Sequence, residues 1–130
     1  MSSELTILGL YGLLVLVTLL VQATLAAQQV GIPMLLSDRS QMPKLTDLAG
    51  RMDRALGNSI LALAMFAPAV LILQTKGVTG GSGLLAAQIF LAMRVLYVIC
   101  YAARINGFRS LFWGVGFAAT LWLYILGLTA

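Results

Sequence analysis

The stretch Arg-Met-Asp-Arg-Ala-Leu-Gly-Asn-Ser-Ile-Leu, residues 51–61, leads a row of polar side chains directly into a long apolar run. Arg51, Arg54, Asn58 and Leu61 are spaced i, i+3, i+7 and i+10, which places them within one helical stripe of roughly 80°. Residues 60–73 then contain no charge at all. Because lipid cannot satisfy polar groups, the stripe predicts a helix that enters a membrane with protein or water on that side.

The composition places this helix in an integral membrane protein. Of the 130 residues, 61% are hydrophobic and 9% are charged, whereas a soluble domain usually contains about 25% charged residues. The net charge of +4 comes from short segments between apolar runs, which fits membrane topology and anionic headgroups better than a nucleic-acid partner. The chain has no histidine and one cysteine, so we predict no metal site and no intrachain disulfide.

Four apolar segments are each long enough to cross a hydrocarbon core of about 30 Å, which needs roughly 20 helical residues. They cover residues 5–27, 55–74, 84–103 and 111–128, and all are too long and too uniformly apolar for strands. In the longest connection, Gly31, Pro33 and Pro43 are expected to interrupt helical geometry. The sequence therefore predicts one all-α domain over residues 1–130, a four-helix membrane bundle.

The distribution of Lys and Arg predicts the orientation of this bundle. Lys76 is the only basic residue in the second connection. Six basic residues lie in or beside the first and third connections: Arg39, Lys44, Arg51, Arg54, Arg104 and Arg109. Because cytoplasmic loops carry the excess of Lys and Arg, we expect these two connections in the cytoplasm and both termini on the opposite side.

The third apolar segment repeats the polar spacing of the second. Arg94, Tyr97, Tyr101 and Arg104 fall at i, i+3, i+7 and i+10 and so share one helix face. Arg94 lies about 15 Å along the axis from Arg104, which places it near the bilayer centre, where an arginine costs about 2.5–3.5 kcal/mol. It should therefore point into the protein, either to tie helices together through an amide such as Asn58 or to hold an anionic ligand.

The fourth segment begins with Arg109 and Ser110, a pair that can hold an anion at a helix start, although membrane topology alone would also explain Arg109. Tyr97 and Tyr101 have a similar second explanation, because tyrosine is enriched at membrane interfaces. Taken together, the stripes predict a cationic, tyrosine-lined pocket for an amphipathic anion. Cys100 lies on a different helix face and is expected to pack in the core.

These motifs resemble the MAPEG family, the small membrane proteins of eicosanoid and glutathione metabolism. The second-helix signature of that family looks like Arg-Ala-x-x-Asn-x-x-Glu, and here it reads Arg54-Ala-Leu-Gly-Asn58-Ser-Ile-Leu61. The third-helix pattern Arg94-x-x-Tyr97-x-x-x-Tyr101 and the Arg109-Ser110 pair are also similar to the family. Segments Ser37-Asp-Arg39 and Leu48-Ala-Gly-Arg51 resemble the connection of bacterial members.

The resemblance implies a homotrimer in the bacterial inner membrane, with glutathione bound between neighbouring protomers near the cytoplasmic side. It implies a transferase or peroxidase that acts on lipophilic electrophiles. Arg109 would activate the thiolate, with Arg104 as a rival for that role. The other expected ligand-binding residues are Arg51, Arg54, Asn58, Arg94, Tyr97, Tyr101 and Ser110.

This sequence also departs from the family pattern. Leu61 stands where the family has a glutamate, Ala64 where it has a proline, and Trp113 where some members have a tyrosine. The glutamate resembles the group that receives the ammonium of glutathione. The alternative is therefore a non-catalytic relative that binds another amphipathic ligand or serves as a structural subunit of a larger membrane complex.

Overall fold

A computed structural model describes residues 3–78 and 80–130, apart from the side chain of Asn106. Within these ranges the chain is helical and contains no strand. Its helices are α1 (Glu4–Val30), α2 (Ile32–Leu36), α3 (Asp47–Lys76), α4 (Gly81–Ala102) and α5 (Asn106–Thr129). The predicted all-α, four-helix fold is confirmed, since α1, α3, α4 and α5 pack into one bundle.

Four of these helices are long and apolar enough to cross a membrane. They are 22 to 30 residues long, against the roughly 20 residues that a bilayer core requires. Many large apolar side chains lie on the outside of the bundle, among them Leu16, Leu20 and Leu128. Water would oppose such exposure, whereas acyl chains would not. The chain is therefore an integral membrane protein.

The connection between α1 and α3 contains a short helix that the sequence did not lead us to expect. Gly31 ends α1 with a φ of +85°, and Pro33 then lies in the first turn of α2. Proline is tolerated there because the first N–H groups of a helix have no intrahelical acceptor. The prediction that these two residues interrupt the helix holds for α1, but helical geometry resumes immediately after it.

The start of α3 is held against the end of α1. The Gln29 side chain accepts a hydrogen bond from the Thr46 N–H at 2.8 Å and donates one to the Thr46 carbonyl at 3.1 Å. Gly50 packs so closely that a Cβ there would lie 2.6 Å from the Leu45 carbonyl oxygen. Any larger residue would force the backbone apart. These contacts set the position of the first turns of α3, which carry Arg51 and Arg54.

Aromatic rings from three helices form the centre of the core. Tyr11 of α1 makes edge-to-face contacts with Phe66 of α3 and Phe90 of α4, at centroid distances of 6.3 and 5.0 Å. Phe66 and Phe90 stack at 4.0 Å. Leu123 of α5 is also fully buried in this core. The core therefore joins all four long helices.

Candidate functional site

Arg94 lies inside the bundle, as its predicted depth in the membrane requires, and is only 2% exposed. Its Nη2 donates to Asn58 Oδ1 at 2.9 Å and to Ser59 Oγ at 3.4 Å. The guanidinium carbon lies 4.3 Å from the ring centroid of Tyr97, a buried neighbour on the same face of α4. Two polar acceptors and an aromatic face together offset much of the cost of burying this charge.

Tyr11 extends this arrangement to α1. Its hydroxyl donates to the Ser59 carbonyl at 2.8 Å, so Arg94, Asn58, Ser59 and Tyr11 form one arginine network across three helices. The sequence interpretation identified Asn58 but missed Ser59 and Tyr11. One signal was available, because Tyr11 is the only aromatic residue in α1. Its partner could not be inferred, since helical periodicity does not show which helices are neighbours.

A second group of charged side chains lies where α3 and α5 begin and α4 ends. The guanidinium carbons of Arg109 and Arg54 lie 4.4 and 5.9 Å from the ring centroid of Tyr101. The Tyr101 ring also contacts Tyr97 at a centroid distance of 5.6 Å. We call Arg54, Tyr101 and Arg109 the Tyr101 cluster. It brings two positive charges from different helices to one aromatic ring.

Arg51 lies beside this cluster and bonds to the end of α4. Its Nε donates to the Ala102 carbonyl at 3.2 Å, which places a cation at the negative end of the helix dipole. Arg104 and Ser110 are exposed, and Arg104 lies in the turn after α4 with a φ of +63°. Among the described residues, neither side chain makes a hydrogen bond or a cation–π contact with the cluster. Of the two arginines considered for thiolate activation, the structure brings only Arg109 to Tyr101.

Leu61 is 57% exposed on the outside of α3. It adds no charge to the stripe that contains Arg54 and Asn58. Any ammonium group bound beside these residues would have to find another acceptor. Asn58 is itself engaged, because its carbonyl oxygen accepts the bond from Arg94.

Cys100 is buried in α4, in agreement with the packing role that its helix face suggested. Among the described residues, no group of three His, Cys, Asp or Glu side chains is placed to hold a metal ion. The side chains that the structure does bring together here are arginines, tyrosines and the amide of Asn58, and guanidinium groups suit anions.

The fold and these two polar groups define a class: a four-helix integral membrane protein with one arginine buried among its helices and further arginines beside a half-buried tyrosine at the helix ends. A family model matches residues 5–129 and is described as the MAPEG family. Since the match covers nearly the whole chain, the protein belongs to the MAPEG family. No curated protein and no solved structure matched the chain.

Proposed function

We propose that this protein is a glutathione-dependent transferase or peroxidase that acts on lipophilic electrophiles. The observation that carries the proposal is the convergence of Arg54 and Arg109 on Tyr101, beside Arg51. Guanidinium groups bind carboxylates through paired, charge-assisted hydrogen bonds. Glutathione has two carboxylates and a thiol, and members of the MAPEG family generally use it.

In this proposal Arg109 is the catalytic residue. A guanidinium beside a thiol stabilises the thiolate relative to the neutral form, which lowers the pKa of the ligand's thiol and raises its nucleophilicity at neutral pH. The thiol proton leaves to solvent at the end of the bundle. The other proposed ligand-binding residues are Arg51, Arg54, Asn58, Arg94, Tyr97, Tyr101, Arg104 and Ser110, with Arg94 acting at least in part by holding Asn58.

The proposed assembly is a homotrimer with the glutathione site between neighbouring protomers. Large apolar side chains on the outside of the bundle, such as Leu16 and Leu20, would support either subunit contacts or contacts with lipid. We also propose the bacterial inner membrane as the location, with the two basic connections in the cytoplasm and both termini opposite. The count of basic residues on each side supports this orientation.

A second candidate function is a non-catalytic relative that binds a different amphipathic ligand or acts as a structural subunit of a membrane complex. The observation that favours it is Leu61, which is exposed at the position of the family glutamate. Without that carboxylate, the ammonium of glutathione would be left unpaired in a desolvated site, at a cost of about 2–5 kcal/mol. A ligand without an ammonium group would lose nothing.

Calorimetric titration of the purified protein with glutathione separates the two candidates. The first candidate predicts saturable binding of glutathione. S-methylglutathione serves as a control ligand, because its blocked sulfur cannot form a thiolate. An absence of saturable binding at millimolar glutathione would rule out the first candidate and leave the second.

The role of Arg109 is tested by ultraviolet difference absorbance, which detects the bound thiolate. Arg109→Ala should abolish the thiolate signal, because the group that stabilises the anion has been removed. Arg39→Ala is the matched control, since Arg39 bonds to Leu35 in the connection and lies outside the cluster. If Arg104→Ala abolishes the signal while Arg109→Ala leaves it intact, the catalytic role belongs to Arg104.

The role of position 61 is tested by restoring the carboxylate. Leu61→Glu should tighten glutathione binding by at least about tenfold, which corresponds to about 1.4 kcal/mol. Leu61→Gln is the matched control, because glutamine has nearly the same shape as glutamate but carries no charge. Equal affinity in the two variants would show that the ammonium is not bound at this position.

A further inference from the structure

The connection between α1 and α3 carries the most exposed large apolar side chain among the described residues. Leu36 of α2 is 82% exposed, and Ile32, one helical turn earlier, is 61% exposed. Both lie outside the four helices that can cross a membrane. Contact with water is unfavourable for two adjacent apolar side chains, so this face of α2 favours an apolar neighbour.

The opposite face of α2 fixes its level relative to the long helices. Leu35 packs against a small core of Ala26, Leu45 and Ala49, which joins α1 to the start of α3. Ala26 lies four residues before the end of α1, a distance of about 6 Å along the helix axis. Therefore α2 turns back beside the last turns of α1 instead of projecting into water.

The length of α1 places this level at the boundary between the hydrocarbon core and the headgroups. Its 27 residues extend about 40 Å. The hydrocarbon core is about 30 Å thick, and the whole bilayer with its headgroups is about 40–45 Å thick. Because the ends of α1 reach the headgroup layers, Ile32 and Leu36 lie at the edge of the acyl chains.

Arg39 is held at the same level. Its Nε donates to the Leu35 carbonyl at 3.1 Å, so the guanidinium folds back over the end of α2. Asp38, its neighbour in sequence, instead accepts bonds from the N–H and the hydroxyl of Ser40, at 3.0 and 2.9 Å. Among the described residues, the two Nη groups of Arg39 have no hydrogen-bond partner. They form a fork that matches two oxygens of a phosphate.

Lys44 supplies a second cation in the same connection. Its side chain is exposed, and it directly precedes Leu45, whose side chain is buried in the small core. The backbone of Lys44 therefore lies at the level of α2. The connection thus combines an apolar face with two exposed cations at the depth of the lipid phosphates.

We propose that the α1–α3 connection is a docking surface for an anionic phospholipid, with the phosphodiester bound by Arg39 and Lys44 and the acyl chains against Ile32 and Leu36. Basic residues beside a membrane favour anionic lipids, because the phosphate of a zwitterionic lipid is already paired with its own cation. A second copy of this chain would fit the apolar face but would bring more cations than carboxylates to this side of the bundle.

Native mass spectrometry tests the preference for charge. The protein is released from nanodiscs with equal amounts of phosphatidylglycerol and phosphatidylcholine that have the same acyl chains, and the bound lipids are counted. The natural protein should retain at least about fivefold more phosphatidylglycerol, and Arg39→Gln should lower this ratio by about fivefold. Lys76→Gln is the matched control, because it removes the same charge from an exposed residue at the other end of the bundle.

A tryptophan at position 36 tests the depth of α2. Leu36→Trp is made in protein whose two natural tryptophans, Trp113 and Trp122, are replaced by phenylalanine. Phospholipids brominated near the top of their acyl chains should quench its fluorescence strongly, and aqueous iodide should quench it weakly. Gln41→Trp is the control, because Gln41 is exposed in the turn after α2 and should be the more accessible to iodide.

Equal retention of the two lipids by the natural protein would overturn the proposal, as would an Arg39→Gln variant that keeps the full preference. Strong iodide quenching at position 36 would place α2 in water, and quenching by neither agent would show that protein covers it. Either result would overturn the proposal. If Arg39→Gln does not fold, the natural protein and Leu36→Trp still decide the question. Neither measurement uses glutathione, so its outcome is independent of the proposed transferase or peroxidase activity.

Discussion

Arg94 and Arg109 lie at nearly the same distance from a tyrosine ring of α4, 4.3 Å from Tyr97 and 4.4 Å from Tyr101. Their surroundings differ. Arg94 is buried and bonded to α3, whereas Arg109 is half-buried at the start of α5. A desolvated cation–π contact contributes about 2 kcal/mol or more, and an exposed one about 0.5–1 kcal/mol. The same contact is therefore part of the folded core in one case and is partly exposed at the end of the bundle in the other.

The largest effect is expected for Arg94→Ala, which should lower the free energy of unfolding by about 3 kcal/mol. Hydrogen bonds to a charged group contribute about 1.5–3 kcal/mol, and truncating a buried side chain adds the cost of a cavity. Unfolding in mixed micelles with increasing dodecyl sulfate would measure the change. Arg94→Met is the volume-matched control, because it refills the space without a charge.

If Arg94→Ala unfolds at the same dodecyl sulfate fraction as the natural protein, the arginine network contributes no stability. If Arg94→Met is more stable than the natural protein, burying the charge costs more free energy than its hydrogen bonds contribute. Some buried ion pairs behave in this way. That result would strengthen the view that Arg94 is kept for a ligand.

A smaller effect is expected for Tyr11→Phe, which removes one buried hydrogen bond and leaves the aromatic packing with Phe66 and Phe90 in place. The loss should be about 0.5–1.5 kcal/mol, because the Ser59 carbonyl loses its donor from Tyr11. The same unfolding measurement applies. Combined with Arg94→Ala, the two losses should not add, since both residues act on Ser59. Additive losses would show that the network is two independent contacts.

The sequence predicted that Arg94 points into the protein. The free-energy cost of exposing an arginine to lipid can be judged from its position in a single helix. The sequence also predicted the four long helices, since each apolar run is long enough by itself to span a bilayer. It did not predict the hydrogen bond of Tyr11 to the Ser59 carbonyl, which depends on how separate helices face one another. Nor did it predict that Arg109 would reach the Tyr101 ring and Arg104 would not. Arg104 lies in the turn after α4, where its φ is positive.

The smallest expected effect is that of Arg109→Ala on stability, a loss of no more than about 0.5–1 kcal/mol. A double-mutant cycle with Tyr101→Leu isolates the contact, and its coupling energy should lie in the same range. A loss comparable to that of Arg94→Ala would place Arg109 in the structural framework, and an absent thiolate signal could then reflect a disturbed fold. A small loss together with an absent thiolate signal would separate the two arginines by role. Arg94 would then belong to the core, and Arg109 would be the residue left free to act on a ligand.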